Sequence, residues 1–229
     1  MQQPNCSLLR RYCVFGGGIL FTALGVALIT EAGLGTSAVS SLSYVLTFVF
    51  PGLSMGVFTF LVNFAMFLAQ VLILRRDFKP LQLLQVPATF LFSFCIDLWM
   101  YLLRGLAPAS YPGRWIFLLL ACLALGIGVA LQVLPDVLIL PGEGFVNVLS
   151  RRFHWNFGVV KTATDVGMVA AAALVSLLCL GGIHGLREGT LVSALIVGAI
   201  ARFCQKHLAF TVAPRRARAK APGLADPAV

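Results

Sequence analysis

Six long apolar runs, separated by short polar or proline-containing breaks, constrain the fold of this chain. They cover residues 13–30, 55–74, 81–103, 115–134, 157–180 and 190–203. A helix needs roughly 20 apolar residues to cross a hydrocarbon core about 30 Å thick. The chain is 59% hydrophobic and 11% charged, whereas a soluble domain has about 45–50% apolar and about 25% charged residues. The sequence therefore predicts an all-α integral membrane protein with six transmembrane helices.

Two further apolar stretches, residues 38–50 and 145–149, are too short to cross a membrane. Segments of this length are typical of re-entrant or interfacial helices. Each follows a glycine-rich segment, residues 33–37 in the first case and residues 142–144 in the second. We therefore expect one short helix in each half of the chain.

The starts of these short helices are candidate anion sites. A helix N-terminus presents unpaired N–H groups and a partial positive charge, and glycine allows a ligand to approach the backbone closely. Gly35, Thr36, Ser37 and Gly144 are therefore candidate binding residues, and Thr36 or Ser37 is expected to cap the first short helix. If the helices enter from opposite faces, their starts meet at the centre. Alternatively, both segments are ordinary interfacial loops whose glycines serve turns.

The distribution of basic residues predicts the orientation. With the N-terminus in the cytoplasm and six crossings, 13 of the 17 lysines and arginines fall inside. Only Arg104, Arg114 and Arg187 fall outside. Cytoplasmic loops of membrane proteins carry an excess of Lys and Arg, so both termini are expected inside.

The two halves of the chain share short matches in the same order. Ala-Leu-Gly occurs at residues 23–25 and 124–126, Gly-x-Gly at 33–35 and 142–144, and Gly-Val at 56–57 and 158–159. The last match places Asn63 opposite Asp165 and Thr59 opposite Lys161. Since each unit has three spans, the second copy must be inverted. Transporters use such inverted repeats and bind substrate near the bilayer midplane between them.

The predicted organisation has five parts. They are a cytoplasmic N-terminus (residues 1–12), a first three-helix repeat (13–104), an extracytoplasmic linker (105–114), a second three-helix repeat (115–208) and a basic, disordered cytoplasmic tail (209–229).

Lys161 and Asp165 lie inside the fifth apolar run, four residues apart, so they share one helical face. Charges in a membrane are costly and usually mark a pathway for ions or solutes. In the functional interpretation, Lys161 binds an anionic group of the solute, and Asp165 neutralises Lys161 when no solute is bound. In the structural interpretation, the pair only locks helix packing.

Four other polar residues complete the candidate site. Asn63 is the first-half counterpart of Asp165, Asp97 lies in the third span, and Glu143 and Asn147 lie in or beside the second short segment. Asp165 or Asp97 is a candidate for proton coupling, and Glu143 for gating, cation binding or proton sensing. The alternatives are that Asp97 is a packing acid bonded to a hydroxyl and Glu143 a solvated loop acid.

Several classes of function are disfavoured by the sequence. The net charge of +9 is explained by cytoplasmic loops, so nucleic acid is not an expected partner. The histidines and cysteines show no metal-binding spacing, and no catalytic or nucleotide-binding motif is recognisable. We expect no catalytic residue, metal or cofactor.

Seven segments carry a family resemblance. They are AGLGTSA (32–38), GVFTFLVN (56–63), RRDFKP (75–80), FCID (94–97), LPGEG (140–144), KTATD (161–165) and REGT (187–190). Together they resemble the YczE/YyaS/YitT family of bacterial integral membrane proteins over about residues 12–208. The resemblance implies a bacterial inner-membrane protein, but it implies no activity and no site residue.

The leading hypothesis is a secondary transporter or permease for a small anionic solute. Its energy would come from a gradient or from a separate partner, and the acidic residues of the site would complete the cavity or couple protons. Its expected partners are the lipid bilayer, the solute, a coupling proton and a second copy of the chain. One alternative is a membrane scaffold or accessory subunit that transports nothing. Another is a small intramembrane enzyme or lipid-handling protein. A cavity lined by both Lys161 and Asn63 favours transport, whereas a dry, fully paired Lys161–Asp165 contact together with a large exposed apolar groove favours a scaffold.

Overall fold

The computed structural model describes residues 8–75, 78 and 80–212. Within these residues the chain forms eight α-helices. They are α1 (Leu8–Glu31), α2 (Ser41–Val49), α3 (Met55–Leu74), α4 (Gln85–Leu102), α5 (Tyr111–Val133), α6 (Pro141–Phe153), α7 (Phe157–Leu180) and α8 (Glu188–Val212). A 3-10 turn, Pro80–Leu84, leads directly into α4. Most of the predicted cytoplasmic tail, and residues 1–7 of the predicted N-terminus, lie outside the described residues.

Six of the described helices are long and apolar enough to cross a membrane: α1, α3, α4 with the turn before it, α5, α7 and α8. The six predicted spans are confirmed; the chain is a multi-pass membrane protein, and its regular elements in the described residues are all helices. Three ends differ from the prediction, because α1 starts at Leu8, α5 at Tyr111, and α8 runs on to Val212. The early start of α5 has a local cause, since the Ser110 hydroxyl accepts a hydrogen bond from the Gly113 N–H and caps the helix.

The first short helix begins later than predicted. α2 spans Ser41–Val49, and Ser40 occupies its N-cap position without a side-chain cap bond. The prediction that Thr36 or Ser37 caps this helix was wrong, because residues 37–40 form a turn ahead of it. Within that turn the Ser37 hydroxyl lies 3.0 Å from the Ser40 hydroxyl and donates to it.

The second short helix is longer than predicted at both ends. α6 begins at Pro141 and ends at Phe153, so the glycine-rich segment 142–144 forms its first turn and does not precede it. Proline suits the first helical position because its fixed φ is helical and its missing N–H is not needed there. Arg151 and Arg152 occupy the last turn, where cations interact favourably with the helix dipole.

The centre of the molecule is the contact between α1 and α5. Two glycines bring these helices together. A Cβ built on Gly25 would lie 2.6 Å from Leu125 Cγ, and a Cβ built on Gly128 would lie 2.5 Å from the Thr22 backbone nitrogen. Small residues of this kind let membrane helices approach closely. α4 packs against α1, and α8 packs against α5, so these two helices flank the central pair.

Hydrogen bonds between helix ends and loops connect the two halves of the chain. The Arg11 guanidinium donates from Nε to the Pro135 carbonyl oxygen at 2.8 Å, which joins the start of α1 to the segment after α5. At the opposite end of α1, the Gly189 N–H donates to the Leu34 carbonyl oxygen at 2.9 Å, beside the start of α8. The two halves are therefore connected at both ends of the bundle.

The two short helices cross between the halves. α2 packs on α3 of its own half and on α7 of the other, while α6 packs on α7 of its own half and on α3 of the other. This exchange places the starts of α2 and α6 between α3 and α7. α3 and α4 pack along each other, whereas α7 and α8 scarcely touch.

Candidate functional site

A cavity of about 570 Å³ lies where the starts of α2 and α6 approach α3 and α7. α1, α4, α5 and α8 complete its walls with mostly apolar side chains, including Val26, Phe92 and Val129. Its polar lining is supplied chiefly by α3, α7 and the two helix starts. Lys161 and Asn63 both line this cavity, which is the arrangement that the sequence reasoning associates with transport.

A cluster of three charges borders the cavity. Lys161 Nζ lies 3.0 Å from Asp165 Oδ1 on the same helix and 3.2 Å from Glu143 Oε1 in the first turn of α6. The side chains of Lys161, Asp165 and Glu143 remain 27%, 26% and 38% exposed. One ammonium thus holds two carboxylates beside an open space, so the pair is not sealed against its neighbours.

The wall contributed by α3 carries uncharged polar groups. The Asn63 side-chain amide donates from Nδ2 to the Thr59 carbonyl oxygen at 2.9 Å, which directs Oδ1 away from that contact. A Cβ built on Gly142 would lie 3.8 Å from this Oδ1 atom. The Thr59 side chain is 3% exposed, and its hydroxyl has no hydrogen-bond partner among the described residues.

The structure brings the starts of the two short helices together. A Cβ built on Gly142 at the start of α6 would lie 3.7 Å from Val39 Cγ1, just before α2. Ser37 and Ser40 line the cavity from one side, and Gly142 and Glu143 line it from the other. The unpaired backbone N–H groups of a helix start attract anions, but Glu143 places a carboxylate beside one of these starts.

Asp97 lies outside this cavity. Its carboxylate accepts hydrogen bonds from the Ser54 hydroxyl at 2.6 Å and from the Gly56 N–H at 2.7 Å, and these bonds join α4 to the start of α3. The geometry is that of the packing acid considered as an alternative for Asp97, with one hydroxyl and one backbone partner.

Four other predicted binding residues also lie outside the cavity lining. The Thr36 N–H donates to the Thr190 hydroxyl at 3.2 Å, and a Cβ on Gly35 would overlap with the same hydroxyl. Gly144 faces α3, where a side chain would meet a glutamine amide. Asn147 is half-buried on α6. Gly35, Thr36 and Gly144 therefore serve close packing between elements.

Sequence reasoning did not single out several lining residues. Thr59 was identified only as the counterpart of Lys161, and Met66 and Met168 were not considered, although all line the cavity. The spacing held the signal, since positions i, i+4 and i+7 share one helical face. Lys161, Asp165 and Met168 have this spacing on α7, as Thr59, Asn63 and Met66 have on α3.

The cavity opens between α7 and α8. Its exposed lining residues on these two helices are Phe157, Gly158 and Thr162 on α7 and Ala194, Gly198 and Arg202 on α8, and Val133 at the end of α5 is exposed beside them. Most of this rim is small, and Arg202 folds back along its own helix, donating from Nε to the Gly198 carbonyl oxygen at 3.2 Å. The opening follows from the sparse contact between these two helices.

Comparisons with known proteins agree with the family resemblance and provide no function. The profile of a family described as "Family of unknown function (DUF6198)" matches residues 9–206. An uncharacterized protein of Haemophilus influenzae is 27% identical over 182 residues, which are 79% of this chain and 76% of the relative. The uncharacterized protein YyaS of Bacillus subtilis is 28% identical over 183 residues, covering 75% of this chain and 89% of the relative. No solved structure matches.

Proposed function

We propose that this chain, which belongs to the DUF6198 family of unknown function, is a secondary transporter or permease for a small anionic solute. One observation carries the proposal: a single cavity is lined by corresponding positions of α3 and α7 and by the starts of both short helices. A concave, mostly apolar site with a few convergent polar groups is the usual form of a small-molecule site.

The packing of the helices supports an inverted repeat. α1 packs on α4 as α5 packs on α8, and α2 contacts α7 as α6 contacts α3. Exchanging the halves of the chain therefore reproduces most of the helix contacts. In transporters built from inverted repeats, the substrate lies near the midplane between the repeats and one repeat moves against the other.

Lys161 is the proposed anchor for the anion. Its two carboxylate partners already more than balance its charge. An anion is therefore bound favourably only when one of the carboxylates loses its charge or moves away from Lys161. Protonation of Asp165 or Glu143 would free Lys161 for the solute. Binding of the anion would then be coupled to binding of a proton.

We place the protein in the bacterial inner membrane with both termini in the cytoplasm. The family resemblance supports the membrane, and the excess of basic residues on one side supports the orientation. In this orientation, the loop after α1 and the loop before α8, which are joined by a hydrogen bond from the Arg187 guanidinium to the Gly33 carbonyl oxygen, lie on the outer side.

A scaffold remains the second candidate, because the outward faces of α7 and α8 are large and apolar. Only 17% of the most apolar part of α7 and 11% of that of α8 are buried, against 56% for α1. Such faces suit a partner protein as well as lipid.

The experiment combines a binding screen with an uptake assay. The purified protein is screened by thermal shift against small carboxylates, phosphates and amino acids, because ligands that bind the folded state raise its apparent stability. The strongest stabiliser is then used, radiolabelled, in proteoliposomes. We expect Lys161→Ala to abolish its uptake while the protein still elutes as a folded species.

Lys206→Ala is the matched control, since Lys206 is exposed on α8 and outside the cavity lining. Its uptake is expected to equal that of the unmodified protein. Normal uptake by Lys161→Ala would exclude Lys161 as the anchor. Absence of any stabilising compound and any uptake would favour the scaffold.

A further inference from the structure

We infer that the cavity contains a second, uncharged subsite on α3, formed by Thr59 and Asn63, and that the solute therefore carries two functional groups. This inference rests on the proposed function and specifies its substrate class. The acid group of the solute pairs with Lys161. A separate hydroxyl or amine donates a hydrogen bond to the α3 subsite.

Thr59 differs from most of the helical threonines in the described part of the chain. Five of them donate to the carbonyl oxygen four residues earlier, at 2.7 to 3.0 Å: Thr22, Thr30, Thr89, Thr162 and Thr164. The Thr59 hydroxyl makes no such bond, although it is almost completely buried and lines the cavity. Leaving a buried hydroxyl unpaired is costly, so an unpaired hydroxyl on a residue that lines the cavity points to a ligand as its partner.

Asn63 supplies a fixed acceptor beside this hydroxyl. Its Nδ2 atom is held by the Thr59 carbonyl oxygen, so the remaining Oδ1 atom is the group available to a ligand. A carboxamide oxygen accepts hydrogen bonds and cannot donate them. The α3 subsite therefore selects for a hydrogen-bond donor on the solute. A second carboxylate on the solute could accept a hydrogen bond from the Thr59 hydroxyl, but it would form none with Asn63 Oδ1.

The start of α6 determines how far apart the two subsites lie. Gly142 is adjacent to Asn63 Oδ1, and the next residue, Glu143, is the partner of Lys161. Consecutive Cα atoms are about 3.8 Å apart, so a short molecule can reach both subsites. The solute class is thus a small hydroxy acid, amino acid or hydroxylated phosphate ester. A simple anion with no donor satisfies one subsite only.

The test compares compounds with and without a donor; the hydroxyl compounds differ from the parent anion only in a neutral donor, whereas the amines also carry a positive charge at neutral pH. Propionate is paired with lactate and with alanine, butyrate with 3-hydroxybutyrate and 4-aminobutyrate, and ethyl phosphate with 2-hydroxyethyl phosphate and phosphoethanolamine. Dissociation constants are measured on the purified, full-length protein by thermal shift and calorimetry. We expect the donor-bearing member of the best-binding pair to bind at least about tenfold more tightly, which corresponds to one hydrogen bond of roughly 1.4 kcal/mol.

The variants separate the subsite from the rest of the cavity. Thr59→Val should remove the preference for the donor and leave the affinity for the simple anion unchanged, whereas Thr59→Ser should keep the preference. Thr162→Val is the matched control, because that threonine also lines the cavity but its hydroxyl is already bonded to the Gly158 carbonyl oxygen at 3.0 Å. Its preference should not change.

A stability measurement makes the test independent of any ligand. If the Thr59 hydroxyl is kept for a ligand, Thr59→Val should leave the melting temperature of the unliganded protein unchanged or higher. A clear fall in the melting temperature would reveal a structural partner for the hydroxyl and overturn the inference. If Thr59→Val does not fold, the same measurement is made on Thr59→Ala.

The binding outcomes distinguish the inference from the proposed function. Equal affinity for compounds with and without the donor would overturn the α3 subsite and leave the transporter proposal standing. Binding of no compound of any pair, with or without a donor, would count against both.

Discussion

Replacing Glu143 with glutamine should strengthen anion binding. In the unliganded protein Lys161 Nζ lies 3.2 Å from Glu143 Oε1 and 3.0 Å from Asp165 Oδ1. An arriving anion must compete with both carboxylates for one ammonium. Glutamine keeps the size of the side chain and removes its charge, so one competitor is lost while the cavity keeps its shape.

The structure bounds the size of this effect. Two unit charges about 3 Å apart interact by roughly 5 kcal/mol at an effective dielectric constant of about 20. The Glu143 side chain is 38% exposed, and exposed pairs contribute only about 0.2–1 kcal/mol. A net gain of about 1–2 kcal/mol is therefore expected, which lowers the dissociation constant by a factor of roughly 5 to 30.

The assay is calorimetric titration of the purified variant with the strongest-binding anion of the screen, at an acidic and a neutral pH. The gain should be largest at neutral pH and smaller in acid, where protonation already weakens the competing carboxylates. Glu188→Gln is the control, because Glu188 pairs with Arg187 at 3.7 Å and is not part of the cavity lining. Unchanged or weaker binding by Glu143→Gln at neutral pH would refute competition for Lys161.

Two glycine substitutions test the helix packing that shapes the cavity. In Gly56→Ala the new Cβ would overlap with the Ser93 carbonyl oxygen of α4, so α3 and α4 must separate. This should lower the free energy of unfolding by about 1–3 kcal/mol, which is measured as a lower melting temperature in detergent. Gly128→Ala should be destabilising by a similar amount because its Cβ would lie 2.5 Å from the Thr22 nitrogen. Gly167→Ala meets nothing within 4 Å and should be neutral or slightly stabilising; an equal loss in all three variants would contradict the packing argument.

The spans and half of the site could be predicted because they depend on local properties. Hydropathy alone located six helices, and the four-residue spacing of Lys161 and Asp165 was enough to pair them. The predicted repeat placed Asn63 opposite Asp165, and both residues line the cavity. These inferences need only helical geometry and the cost of charge in a membrane.

The remaining contacts depend on where distant elements meet. Glu143 contacts Lys161 because it lies in the first turn of α6, which begins at Pro141 and packs beside α7. No local sequence pattern determines which helix that turn packs against. Asp97 was grouped with the site by its charge alone, whereas its partners are groups at the start of α3. The spacing could have placed Thr59 in the cavity wall, but its unpaired hydroxyl could not be predicted, because a missing hydrogen bond leaves no trace in a sequence.

The double pairing of Lys161 has an electrical consequence. The unloaded cluster of Lys161, Asp165 and Glu143 carries one net negative charge. If a monovalent anion enters together with one proton, the loaded cluster carries the same net charge. Moving a charge through a membrane costs about 2.3 kcal/mol for every 100 mV, and a carrier whose empty and occupied forms have equal charge does no net electrical work over a full cycle. Its driving force would then come from the two concentration gradients, independently of the voltage across the cell envelope.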